Sequence, residues 1–161
     1  MLIKQRSSNH LVQYLFILFA AASLSSCTIK WVADYDSAAF EEILKVGKKI
    51  DKFYGDLLET KSDDRAYSKF SAQYVDIETD IQSIVTRNKA RALNNESTQI
   101  SESILKLWVK YKEAHKANNT YSDGKAKLDR ARFIRLFAAA AAAERVKDLK
   151  ANDQNSDADS E

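Results

Sequence analysis

From Asp36 onward the apolar residues recur at intervals of three and four, the spacing that puts them on one face of a helix. Phe40, Ile43, Leu44, Gly47, Ile50, Tyr54, Leu57 and Leu58 form one such stripe and predict a first helix over about 36–60. Asp36 suits its N-cap, and Glu41 and Glu42 lie toward the positive end of its dipole. "TKSDDR" reads as a turn, with Ser62 as the expected N-cap of a second helix and Asp63 and Asp64 in its first turn. Tyr67, Phe70, Tyr74, Ile77, Ile81, Ile84 and Val85 carry that helix to roughly Leu93. "NNES", Asn94 to Ser97, breaks the run. A third stripe of Ile100, Ile104, Leu107, Trp108 and Tyr111 ends near Lys116. After "ANNTYSDG", with Ser122 as cap, a fourth helix is expected from about Asp123 to Lys150, offering Leu128, Phe133, Leu136, Phe137, Ala140, Ala143, Val146 and Leu149 for burial.

Four amphipathic segments joined by short polar turns predict an all-α fold, an antiparallel up-down four-helix bundle over residues 36–150. Three helices would leave one stripe in water. The end of the chain, Ala151 to Glu161, holds four acids and no base, and this polar composition predicts a disordered acidic tail. Within the fourth helix, six consecutive alanines, Ala138 to Ala143, favour helix and permit close approach of a neighbour. They serve either packing inside the bundle or a partner helix docking on Ala138, Ala139 and Ala142.

The first residues follow another plan. Lys4 and Arg6 precede the apolar run "LVQYLFILFAAA", Leu11 to Ala22, which leads to small residues. This is the three-part layout of a secretory signal peptide, and the run is shorter than the roughly twenty apolar residues that a membrane-spanning helix needs. Leu24, Ser25, Ser26 and Cys27 then give an aliphatic residue, two small residues and the only cysteine of the chain. This resembles the lipobox of bacterial lipoprotein precursors. The resemblance implies a signal peptide over residues 1–26, cleavage before Cys27, and acylation of that cysteine's thiol and new amino group. Two or three acyl chains hold a protein to a bilayer without a transmembrane span. Residues 27–35 then form the lipidated N-terminus and a short linker. Thr28 stands where an aspartate would favour retention at the inner membrane, so the resemblance implies the periplasmic face of the outer membrane. "ADYD" at Ala33 to Asp36, leading into "VGKKIDKFYGDLLE", also resembles a group of small helical outer-membrane lipoproteins of Gram-negative bacteria. That group brings no activity with it.

Composition sharpens this picture. No proline and only three glycines leave hairpin turns without their usual residues. Loss of the leader removes Lys4 and Arg6 and leaves no net charge, which argues against nucleic acid as a partner. One cysteine cannot form an internal disulfide.

The search for chemistry returns no catalytic set, metal site or cofactor motif. Outside the leader, His115 is the only histidine; it lacks Glu-x-x-His spacing and reads as a solvated helix-end residue. The serines have no Gly-x-Ser-x-Gly elbow, and the glycines stand too far apart for a phosphate loop. Asp76 and Asp80 share a helix face from which Glu78 diverges, and all three read as solvated. Trp31, four residues from Cys27, suits a headgroup-level anchor. The chain thus reads as a non-enzymatic, lipid-anchored interaction or scaffold module, its partners the membrane through Cys27 and another envelope protein. The alternative is a small apolar or aromatic ligand held between the helices, for which the tyrosines of the first two helices are the motive. An enzyme acting on wall or lipid material needs convergent acids in a polar cleft.

Overall fold

The structure, a computed structural model, describes residues 32–158, with side chains given as far as Asp148. The expected leader, the lipobox residues Leu24, Ser25 and Ser26, the lipidation site Cys27 and the anchor Trp31 lie outside the described residues. Four α-helices and no strand are found among the described residues: α1 (Ser37–Glu59), α2 (Tyr67–Lys89), α3 (Asn95–Asn118) and α4 (Asp123–Ala158). They pack in a ring in which α1 lies beside α2 and α4, and α3 beside the same two, the α1/α4 and α2/α3 contacts being the more extensive. Cross-helix pairs show the directions: Asp51 meets Arg130 and Asp36 meets Glu144 across α1/α4, while Tyr74 meets His115 and Asn88 meets Ser101 across α2/α3. Successive helices are antiparallel. No described helix is long and apolar enough to cross a membrane.

The helix starts follow local chemistry. Asp36 Oδ1 accepts the Ala39 N–H at 3.0 Å, the side-chain cap expected of it. The second helix does not start at Ser62: Ser62–Asp64 make one 3₁₀ turn, and α2 begins at Tyr67. The reason lies in Arg65, which turns inward and donates to the Thr60, Leu58 and Tyr121 carbonyls, satisfying the end of α1 instead of extending a helix of its own. The start of α2 is capped from another loop, by Asn119 Oδ1 on the Tyr67 N–H at 3.0 Å. At the far end α2 stops at Lys89, and Leu93 takes a left-handed φ of 58° in the turn to α3. Past Lys150, residues expected to form a disordered tail continue α4 as far as Ala158. No glycine or proline interrupts them.

The core runs the length of the bundle. Ile43, Ile50, Phe53 and Leu57 of α1 meet Phe70, Ile77 and Ile81 of α2, Ile104 and Trp108 of α3, and Phe133 and Phe137 of α4. Gly47 permits a close approach of α1 to α4: a Cβ there would sit 3.1 Å from Phe137 Cβ. Three stripe residues do not go inward. Leu44, Leu128 and Val146 are about half exposed, because α1 buries Val46 and Phe53 on a face turned away from Leu44, and α4 spreads its apolar residues round its axis while only the side carrying Phe133 and Phe137 meets the core.

Candidate functional site

The alanine run splits between two faces. Ala140 and Ala141 are buried in the bundle, whereas Ala138, Ala139 and Ala142, the residues expected to meet a partner, are exposed on the outward side of α4. Leu128, Ile134 and Val146 continue that side, at 54, 51 and 47 % exposure. A helix with one apolar face buried by its own chain and a second facing water has room for a partner.

Tyrosine and tryptophan crowd the end of the bundle formed by the α1–α2 and α3–α4 turns. His115 sits among them at 1 % exposure, so the expected solvated histidine is in fact a core residue. Burial outweighs the attraction of the α3 C-terminus because the ring has two partners inside. Its Nε2–H donates to the Arg65 carbonyl at 2.8 Å, and its bare Nδ1 accepts the Tyr74 hydroxyl at 3.1 Å. Arg65, buried and bonded to Tyr121 and Asp123, thereby ties the two turns together. Beside it the Tyr121 hydroxyl donates to buried Asp129 at 2.6 Å, and Lys125 pairs with the same carboxylate.

Burial holds His115 below its ordinary pKa of 6.5, against the raising effect of its bond to Arg65. The unfolded chain therefore takes up a proton at higher pH than the folded one, and stability, full above 6.5, falls as pH drops below it toward the lowered folded value. In that interval the loss approaches about 1.4 kcal/mol per pH unit. Urea midpoints at pH 7.5 and 5.5 measure it, and His115→Gln is expected to shrink the difference between them. Asp36, held low chiefly by the Ala39 N–H, and Asp51, held low chiefly by Arg130, act only below their ordinary 3.8. An unchanged difference in the variant would refute the assignment.

The opposite end, where α1 begins, holds a buried polar network that the sequence reading missed. Glu144 is fully buried; its Oε1 accepts the Asp36 N–H at 2.9 Å and Arg91 Nη1 at 3.1 Å, and its Oε2 accepts Lys147 at 2.6 Å. Lys147 also donates to Asn94 Oδ1 at 2.6 Å and Ser97 Oγ at 2.9 Å. Asn88 bridges onward to Ser101 Oγ and the Ser97 carbonyl. Arg91 reaches the Asp34 carbonyl, and the Ala33 N–H donates to the Leu93 carbonyl, so the chain entering α1 is fastened to this end. The Ser97 and Lys147 pair invites comparison with a serine–lysine dyad, but the geometry opposes it: all three ammonium hydrogens are donated, and no lone pair faces Ser97 to accept its proton. The network binds structure together.

The acids of α2 behave as spaced. Lys49 pairs with both Asp76 and Asp80, at 2.6 and 2.7 Å, while Glu78 turns to Lys112 of α3 at 2.6 Å. No cluster of three metal-ligating side chains occurs among the described residues. Between the helices, a cavity lined by Ile43, Ile84, Asn88, Ser101 and Phe137 has a volume of about 10 Å³, the space of roughly one water. A surface groove over Phe53 and Ile77, rimmed by Lys49, Lys52, Asp56 and Asp76, measures about 140 Å³, below the roughly 300 Å³ at which small-molecule pockets begin. No protein-family model, no curated protein and no solved structure matches the chain.

Proposed function

We propose that the protein is a lipid-anchored envelope lipoprotein whose helical bundle serves as a non-enzymatic interaction or scaffold module. Cys27, made N-terminal by removal of residues 1–26, carries the acyl chains and holds the bundle at the periplasmic face of the outer membrane. The observation that carries the interaction reading is the second apolar face of α4, with Ala138, Ala139 and Ala142 at its centre. The cavity lined by Ile43, Ile84 and Phe137 holds about 10 Å³, too little for a small molecule, which supports docking on the surface over a ligand held there. The fastening of residues 33–36 to Glu144, Arg91 and Leu93 makes the segment just before α1 part of the bundle.

The anchor is tested by labelling the native producer with radioactive palmitate. The parent protein is expected to take up label and sediment with membranes, and Cys27→Ser to do neither, accumulating with its leader attached. Equal labelling of both forms would remove Cys27 from its assigned role.

A further inference from the structure

We propose that the outward face of α4, from Leu128 to Val146, docks an acidic amphipathic helix of another envelope protein. This rests on the interaction-module reading and adds the chemistry of the partner. Leu128, Ala131, Ile134, Ala138, Ala142 and Val146 follow one another at steps of three and four, and so line one side of the helix. Phe133, Phe137, Ala140, Glu144 and Lys147 occupy the other side and are buried in the bundle. The outward stripe is therefore a helix-packing surface that the chain itself leaves uncovered.

Its charges select the occupant. Between Gly124 and Val146 the only acids are Asp129 and Glu144, both buried and both bonded to their own neighbours. Lys127, Arg135 and Arg145 are exposed, and no carboxylate among the described residues pairs with them; Arg145 lies over the Phe40 ring, 5.8 Å from its centre. A surface of apolar side chains whose own unpaired charges, Lys127, Arg135 and Arg145, are all cations complements a helix edged by anions. At 1.5 Å per residue, the partner's acids would stand about 12 and 15 Å apart along its axis to meet Lys127, Arg135 and Arg145.

A second copy of this chain fits poorly. Two-fold pairing centred on the alanines brings Arg135 of one copy toward Arg145 of the other, and like charges so placed repel. A lipid surface fits poorly too, because interfacial helices insert bulky leucine and aromatic side chains, and the middle of this face is methyl groups. Alanine suits a helix instead, since a low surface lets two axes approach to about 8 Å. The partner's larger apolar residues would lie over Ala138 and Ala142.

The test uses the full anchored chain in living cells of its native producer, with a photocrosslinking amino acid placed at Ala139 or, for comparison, at exposed Gln82 on α2. The result expected is an adduct from Ala139 whose crosslinked peptide, sequenced by mass spectrometry, is an amphipathic segment bearing aspartate and glutamate. Arg135→Glu is expected to lower its yield about tenfold while the circular dichroism of the purified variant stays unchanged. An adduct with this same chain, with lipid, or with a segment lacking acids would overturn the proposal, as would a yield indifferent to Arg135→Glu. Adducts from Gln82 alone would also overturn it and leave the interaction-module reading standing. Silence at both positions would end both.

Discussion

Glu144→Ala is expected to lower folding stability by about 3–5 kcal/mol, because it strands the buried Lys147 ammonium without its carboxylate. The same substitution removes the acceptor of the Asp36 N–H and of Arg91, so the entry to α1 loosens as well. Lys147→Met is expected to cost less: Glu144 keeps Arg91 and the Asp36 amide, and the methionine stem fills much of the space. The double variant Glu144→Ala, Lys147→Met leaves neither charge of the pair alone in the core. Its cost should fall short of the two single costs added together by about 1–3 kcal/mol, the coupling of one ionic unit. Urea unfolding of the four proteins measures the cycle. Strict additivity would show that the two side chains do not act together.

Why that network escaped the sequence reading is instructive, because the periodicity that identified the core passes through it. On α2 the stripe Ile81, Ile84, Val85 continues to Asn88; on α3, Ile104, Trp108 and Tyr111 are flanked by Ser97, Ser101 and His115 at the same spacing; on α4, Phe133, Phe137 and Ala140 lead to Glu144 and Lys147. Polar residues at stripe positions were read as the ends of stripes. They are instead core positions whose hydrogen bonds are satisfied across helices, which depends on residues far apart in sequence meeting in three dimensions. The four helices, by contrast, were legible from local period and polar turns alone, and the Asp36 cap from one residue. The start of α2 was not, since its cap comes from Asn119 and its preceding turn is shaped by Arg65 reaching Tyr121. Nor could pattern fix the inward face of α4, where apolar residues lie all round; Leu128 and Val146 were assigned to the core and stand outside it. The exposure of Ala138, Ala139 and Ala142 is the useful outcome of the same ambiguity. A helix with apolar residues on two sides can bury only one of them against its own chain, and the other stays in solvent.

The second large effect is expected at Trp108, the widest side chain with no exposed surface. Its ring stands edge-on to Phe53, Tyr54 and Phe133, with centres 5.2, 6.4 and 5.6 Å away, so it touches α1 and α4 from α3. Its indole N–H donates to the Tyr74 carbonyl of α2 at 3.1 Å. One residue thus joins all four helices. Trp108→Ala empties the middle of the aromatic layer, and the neighbouring rings belong to different helices that cannot all close on the gap. A cost of about 3–5 kcal/mol follows from lost burial and the residual cavity. Trp108→Phe keeps most of the ring and gives up the hydrogen bond, at roughly 1–2 kcal/mol. The Tyr74 carbonyl is a helical acceptor with its own α2 partner, so losing the indole leaves no orphaned group, which is why the phenylalanine variant is expected to fold. Thermal unfolding followed by circular dichroism ranks the three proteins. A Trp108→Ala protein as stable as the parent would mean that the four helices are not packed around this ring.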